Sequence, residues 1–227
     1  GSTIYNGGAW PEEWDYNHFV SEPTVNLVHR DIIKPDGTSY IATKDQEAEF
    51  IASTDLWFRP IHHRVGPDGA LYILDFYNQA VVHNDTRGPK HGPNNAAVRP
   101  DRDHHFGRIW RVQHKQAKKL DLPQLAGAAR TELVKALEHP NGWVRMTAHR
   151  LLVEGGKKEE VVEPLTALVL NTEAPAPGRI HAMWALENLE APLRVAVSRV
   201  LDDDNIGIQK NALRVLRIFK EIDPDFD

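Results

Sequence analysis

Residues Phe58 to Gln79 read FRPIHHRVGPDGALYILDFYNQ. Two apolar runs, Ile61 to Val65 and Ala70 to Phe76, flank Gly66-Pro67-Asp68-Gly69. Proline presets φ for the turn, and glycine supplies the positive φ that a return turn often needs. The stretch therefore reads as a β-hairpin. It sets the character of the first half of the chain. His18 to Val20, Val25 to Ile33, Ser39 to Ala42 and Arg108 to Val112 are further strand candidates, and Pro35-Asp36-Gly37 is a second turn.

Beyond Leu120 the period changes. Thr131 to Glu138, Trp143 to Val153, Val161 to Leu170, Arg179 to Leu189, Leu193 to Leu201 and Ile208 to Phe219 carry apolar residues three and four apart, as helices do. Asn141, Pro164, Pro177-Gly178 and Pro192 punctuate them. Three helices share a phase: Arg145 to Leu152, Arg179 to Leu186 and Gln209 to Leu216, with a small residue recurring at Ala148, Ala182 and Ala212. A recurrence of about 30 to 35 residues is that of a HEAT-like helical solenoid, here three helix pairs; an irregular bundle is the alternative. The domain reading is strands over 1–113, a linker over 114–129 and helical repeats over 130–227.

Composition narrows the function classes. The 227 residues carry a formal charge of −5, which excludes a strong nucleic-acid field. The absence of cysteine excludes disulfides, thiolate metal sites and covalent haem attachment within this chain. No apolar run approaches the roughly 20 residues needed to span a bilayer, and no signal peptide is visible.

About 113 residues of strand-rich sequence would make two blades of a propeller, at roughly 40 to 50 residues each. Two blades cannot close a ring, so further blades lie elsewhere or the strands form a smaller sheet domain. YNGGAWPEEW (5–14), NHFVSEP (17–23), NLVHR (26–30), EFIASTD (49–55), FRP (58–60), GPDGALY (66–72), DFYN (75–78) and GRIWRV (107–112) resemble the late blades of glucose/sorbosone-dehydrogenase propellers. The order of elements is similar to that of large exported planctomycete-type proteins. These join such a propeller to HEAT repeats and a haem-binding CxxCH domain. The resemblance implies a partial, about two-blade β-propeller followed by a HEAT-like α-solenoid. It also implies export to the periplasm, pyrroloquinoline quinone and calcium as cofactors, and oxidation of a sugar or other alcohol with electrons passed to a haem partner domain. The missing N-terminal blades and that c-type haem domain would be its partners.

The same resemblance singles out Arg59. The family carries Arg-x-Arg ahead of the GPDGALY-like turn, where the guanidinium groups hold the quinone carboxylates. Arg59 falls on the first arginine and Ile61 on the second, so half of that clamp is present. The alternative role is an ion pair with Asp55 or Asp75. His62 and His63 are adjacent and face opposite sides of a regular strand.

The stretch His83 to His105 is polar and rich in metal-ligating types: His83, Asp85, His91, Asp103, His104 and His105. It is a candidate ligand or metal loop, or else a hydrogen-bonded structural one. Glu12, Glu13 and Asp15 beside Trp10 and Trp14 read as a solvated turn, with a sugar-binding platform as the alternative. Trp143 and Trp184 are expected in the helical core, and Asp202-Asp203-Asp204 at a helix N-terminus. Three functions compete: a dehydrogenase part inactive alone, a scaffold docking protein on its helices, and metal-dependent hydrolysis.

Overall fold

The computed structural model describes residues 1–44, 47–79, 81 and 105–222. The chain divides into two compact units, Gly1–Lys118 and Lys119–Asp227. It is mixed β and α: antiparallel sheets in the first unit, six α-helices in the second.

The first unit holds eight described strands in two sheets. The larger is an antiparallel meander of β1 (Ser2–Ile4), β2 (His18–Glu22), β3 (Leu27–Asp36) and β4 (Ser39–Lys44), and β5 (Ile51–Ala52) also pairs with β3. The smaller runs β6 (Pro60–Val65), β7 (Leu71–Asp75), β8 (Arg108–Val112).

Alternation places Phe19 and Ser21 of β2, Val28 and Arg30 of β3, and Leu71, Ile73 and Asp75 of β7 on buried faces. The expected GPDG hairpin is present: Gly69 has φ +74°, its N–H donates to the Gly66 carbonyl, and Asp68 caps the turn through the Ala70 N–H. The other turn differs from expectation. Pro35 and Asp36 remain in β3, paired with Tyr40 and Ser39, so the two-residue loop is Gly37-Thr38. β1 and β5 are too short to leave a periodic signal.

The core of this unit is aromatic. Tyr5 and Trp10 stack at 4.3 Å, Phe19 packs edge-on to Phe50 at 4.8 Å, and Arg30 sits 3.8 Å over Trp14. Trp10 is buried and Trp14 half-buried, with Glu12–Trp14 forming one 3-10 turn, so the pair is no open platform. The two sheets meet where β2 and β6 run close, and there Ser21 Oγ lies 2.9 Å from His63 Nε2. The Tyr5 hydroxyl donates to the Gly69 carbonyl. Trp10 Nε1 donates to Gln113 and the Lys118 N–H to the Ala9 carbonyl, which ties the chain beyond β8 back to this unit.

In the second unit, α1 (Arg130–Ala136), α3 (Lys158–Leu170) and α5 (Arg194–Arg199) neighbour one another in turn, as do α2 (Gly142–Glu154), α4 (Ala176–Asn188) and α6 (Ile206–Ile222). Each odd helix packs on the even helix that follows it. Ala148, Ala182 and Ala212, the recurring small residues, are all fully buried. Asn141 and Asn205 cap α2 and α6 by accepting N–H groups of the first turn.

At Pro164 and Asp203 the structure is more specific than the sequence pattern. Pro164 falls in the middle of α3, so the helix continues through it without the hydrogen bond its N–H would make to the Glu160 carbonyl, which the proline ring crowds. Asp203 does more than the expected capping: its Oδ1 accepts the backbone N–H of Asn205, the residue before α6 (3.0 Å). Its carboxylate pairs with Arg179 at 2.5 Å, and both are nearly buried.

Candidate functional site

Asp75, at the end of β7, is the hub of the smaller sheet, and its side chain is fully enclosed. Oδ1 accepts the backbone N–H of Arg59 (2.7 Å) and of Tyr77 (2.9 Å). Oδ2 accepts Arg108 Nε (2.9 Å) and Trp110 Nε1 (3.0 Å). Burial works to raise this carboxyl's pKa, but the donors outweigh it and hold it below the ordinary carboxylate range.

Arg108 lies between two rings, 3.6 Å over Tyr77 and 4.8 Å from Trp110, and reaches Asp55 at 3.4 Å. Tyr77 itself sits at φ +44°, a conformation that a bulky residue adopts only under constraint. Asp55, Arg108, Trp110 and Arg111 line a cleft of about 290 Å³ together with the apolar Phe58 and Ile73 and with residues of β5. A guanidinium, a carboxylate and an exposed indole face suit a small polyhydroxylated or anionic ligand.

Arg59 stands next to this hub but is differently employed. Its Nε donates to the Asn78 carbonyl (3.2 Å), Nη1 to those of Pro23 (2.8 Å) and Thr24 (3.3 Å), and Nη2 to that of Gln79 (3.2 Å). The guanidinium is a strut between loops, and neither Asp55 nor Asp75 pairs with it. Ile61 is a β-bulge in β6, 41% exposed. The residues present therefore do not fit a quinone-carboxylate clamp.

The same bulge fixes the histidines. His63 turns fully inward, and its Nδ1 is buried without a partner. Burial pushes its pKa down to about 4, so the ring is neutral. His62 is half-buried.

Of the loop candidates, His105 is exposed; His83, Asp85, His91, Asp103 and His104 lie outside the described residues. Among the described residues no group of three or more histidines, cysteines and carboxylates is placed to hold a metal. Also among them, no helix is long and apolar enough to cross a membrane.

Sequence reasoning passed over two clusters. In one, His29 lies between Glu49 (2.6 Å) and Asp31 (3.0 Å), with Lys44 on Glu49 (2.8 Å). The hydrogen bond with Glu49 raises the His29 pKa, burial opposes it, and Asp31 adds to the rise. In the other, the Asp75–Arg108–Trp110 set joins residues far apart in sequence. Only alternation in RIWRV, with three polar-capable side chains beside an aspartate-ending strand, hinted at it. In the helical unit, Trp143 is 44% exposed rather than core, with Met146 also exposed one turn on; Trp184 is half-buried and donates to Asn211 at 2.8 Å.

The β unit is thus a two-sheet antiparallel domain organised around a buried aspartate. Residues 1–116 match the family described as a domain of unknown function (DUF7133), which covers just over half of the chain, and the chain belongs to this family. No curated protein and no solved structure matches it.

Proposed function

We propose that the β unit supplies two late blades of a larger propeller protein of the sugar- or alcohol-oxidising type, and that the helical unit is a HEAT-like array attached to it. The chain is inactive alone in this reading. Catalytic base and cofactor sit on other blades, and electrons leave to a haem domain on polypeptide outside these cysteine-free residues.

The observation that supports it is the succession of two antiparallel sheets, joined where β2 and β6 run close, each leaving an outer strand without a further partner among the described residues. The Asp55–Arg108–Trp110 cleft is then the recognition surface this part contributes. The paired helix layers, with alanines at the recurring contacts, support the array.

The test is dye-linked oxidation of aldoses and simple alcohols, with and without calcium and quinone, by this chain and by the whole protein that contains it. Activity only in the whole protein is expected. Turnover by the chain alone, or none by the whole protein with any alcohol, defeats the reading.

A second reading rests on exposed Trp143 and Met146 of α2, an apolar pair suited to docking another protein. Cross-linking from α2 in the whole protein tests it. An adduct lost in Trp143→Ala supports docking, and unchanged adducts exclude it.

A further inference from the structure

The two ends of the helical unit complement each other. α6, the last described helix, buries Ile208, Ala212 and Val215 in the core it shares with α4 and α5. At about 3.6 residues per turn, Ile206, Lys210, Leu213 and Arg217 fall on the opposite side of the helix. Ile206 and Leu213 are exposed, Leu213 by 60%, and Arg214 and Arg217 stand in solvent beside them. A helical array that ends in water carries a polar outer face on its last helix. This helix carries an apolar seam edged with cations.

The other end has a groove of matching chemistry. The segment 121–128 and α1 line a groove of about 750 Å³. Leu122, Leu125, Ala128 and Ala136 give it an apolar lining, with Leu122 49% exposed. Asp121, Glu132, Lys135 and Glu138 also line it, and all four are exposed. Three carboxylates there face one ammonium group, so the groove is negative where α6 is positive.

We propose that the outer face of α6 in one copy of this chain docks into the α1 groove of a second copy. Ile206 and Leu213 enter the apolar lining, and Lys210, Arg214 and Arg217 meet Asp121, Glu132 and Glu138. Charge complementarity selects the partner, because both signs are carried by the same chain. Pairing groove with groove, or α6 with α6, would set like charges together. The contact is therefore heterologous, head to tail, and every dimer keeps one groove and one α6 face for further copies.

The test follows the full chain by sedimentation velocity. Its mass should rise with concentration and pass that of a dimer. Leu122→Asp and Leu213→Asp change exposed positions and should each be monomeric. An equal mixture of the two should form a heterodimer that grows no further, since one variant keeps the groove and the other keeps α6. Raising salt from about 0.05 to 0.5 M should weaken that heterodimer more than roughly fivefold. The chain has no cysteine, so Leu122→Cys and Leu213→Cys provide a readout that does not depend on the aspartate variants. Mild oxidation of their mixture should join one of each in excess over like pairs. An unaltered chain that stays monomeric and gives no mixed disulfide, aspartate variants that do not complement each other, or an excess of like-with-like disulfides overturns the proposal. So does a groove that accepts an unrelated basic amphipathic peptide while the chain stays monomeric, which would assign it to another partner.

Discussion

The Tyr5 hydroxyl donates a 2.7 Å hydrogen bond to the Gly69 carbonyl, joining the loop after β1 to the hairpin of the other sheet. It also accepts the Trp10 N–H at 3.2 Å. Burial pushes the phenol's pKa well above its ordinary value, so it stays a donor. Tyr5→Phe keeps the stacked ring but strands a buried carbonyl and a buried N–H. We expect a loss of about 1–3 kcal/mol, read by denaturant unfolding of the β unit.

Two glycines with positive φ separate conformational strain from crowding. Gly37, at φ +57°, has open space around its missing Cβ. Gly69, at φ +74°, would drive a methyl into that of Ala9. Gly37→Ala should cost about 1 kcal/mol. Gly69→Ala should cost that plus about 1–3 kcal/mol of overpacking. Equal losses in the two variants would show that the Gly69–Ala9 approach is not tight.

Asp75 and His29 give the β unit opposite responses to pH. The Asp75 pKa is lowered on folding, so its stabilisation is present above the unfolded carboxylate value of about 3.9 and is lost as pH falls. The His29 pKa is raised, so its contribution is complete below about 6.5 and disappears as pH rises through the higher folded value. His29→Gln should remove the decline in melting temperature on the alkaline side alone. Asp75→Ala, which leaves Arg108 and the N–H groups of Arg59, Tyr77 and the Trp110 indole without their acceptor, should cost about 3–5 kcal/mol near neutral pH.

Arg179 and Asp203 form a nearly buried pair, and Arg179 Nε also donates to the Val169 carbonyl. Asp203→Ala strands the guanidinium and should destabilise the helical unit by about 3–5 kcal/mol. Replacing both by apolar residues of similar volume should restore most of that. A double-mutant cycle by thermal melts of Lys119–Asp227 within the full chain measures the coupling.

Local pattern carried most of the fold and little of the site. RVGPDGALYILD announces its hairpin because turn chemistry and alternation act over a few residues. The helix phase through Ala148, Ala182 and Ala212 is equally local. What alternation cannot convey is partner choice. Asp75 and Arg108 sit far apart in the chain, and so do Tyr5 and Gly69; only packing joins them. Arg59 looked like a ligand-binding cation because it falls on the first arginine of an Arg-x-Arg motif in the proteins the sequence resembles. Its use as a strut follows from four carbonyls that come together only on folding. Trp143 shows the reverse limit: an apolar residue at helical spacing still ended in solvent.

The order of strands in the smaller sheet also sets a sequence of events in time. β6 and β7 are joined by a short turn, whereas β8 pairs with β7 only after a far longer connection closes. The β6–β7 hairpin is therefore expected to form first and β8 to dock after it. In stopped-flow experiments, Val65→Ala, which faces Leu71 across the β6–β7 pair, should slow refolding, while Val112→Ala in β8 should chiefly hasten unfolding.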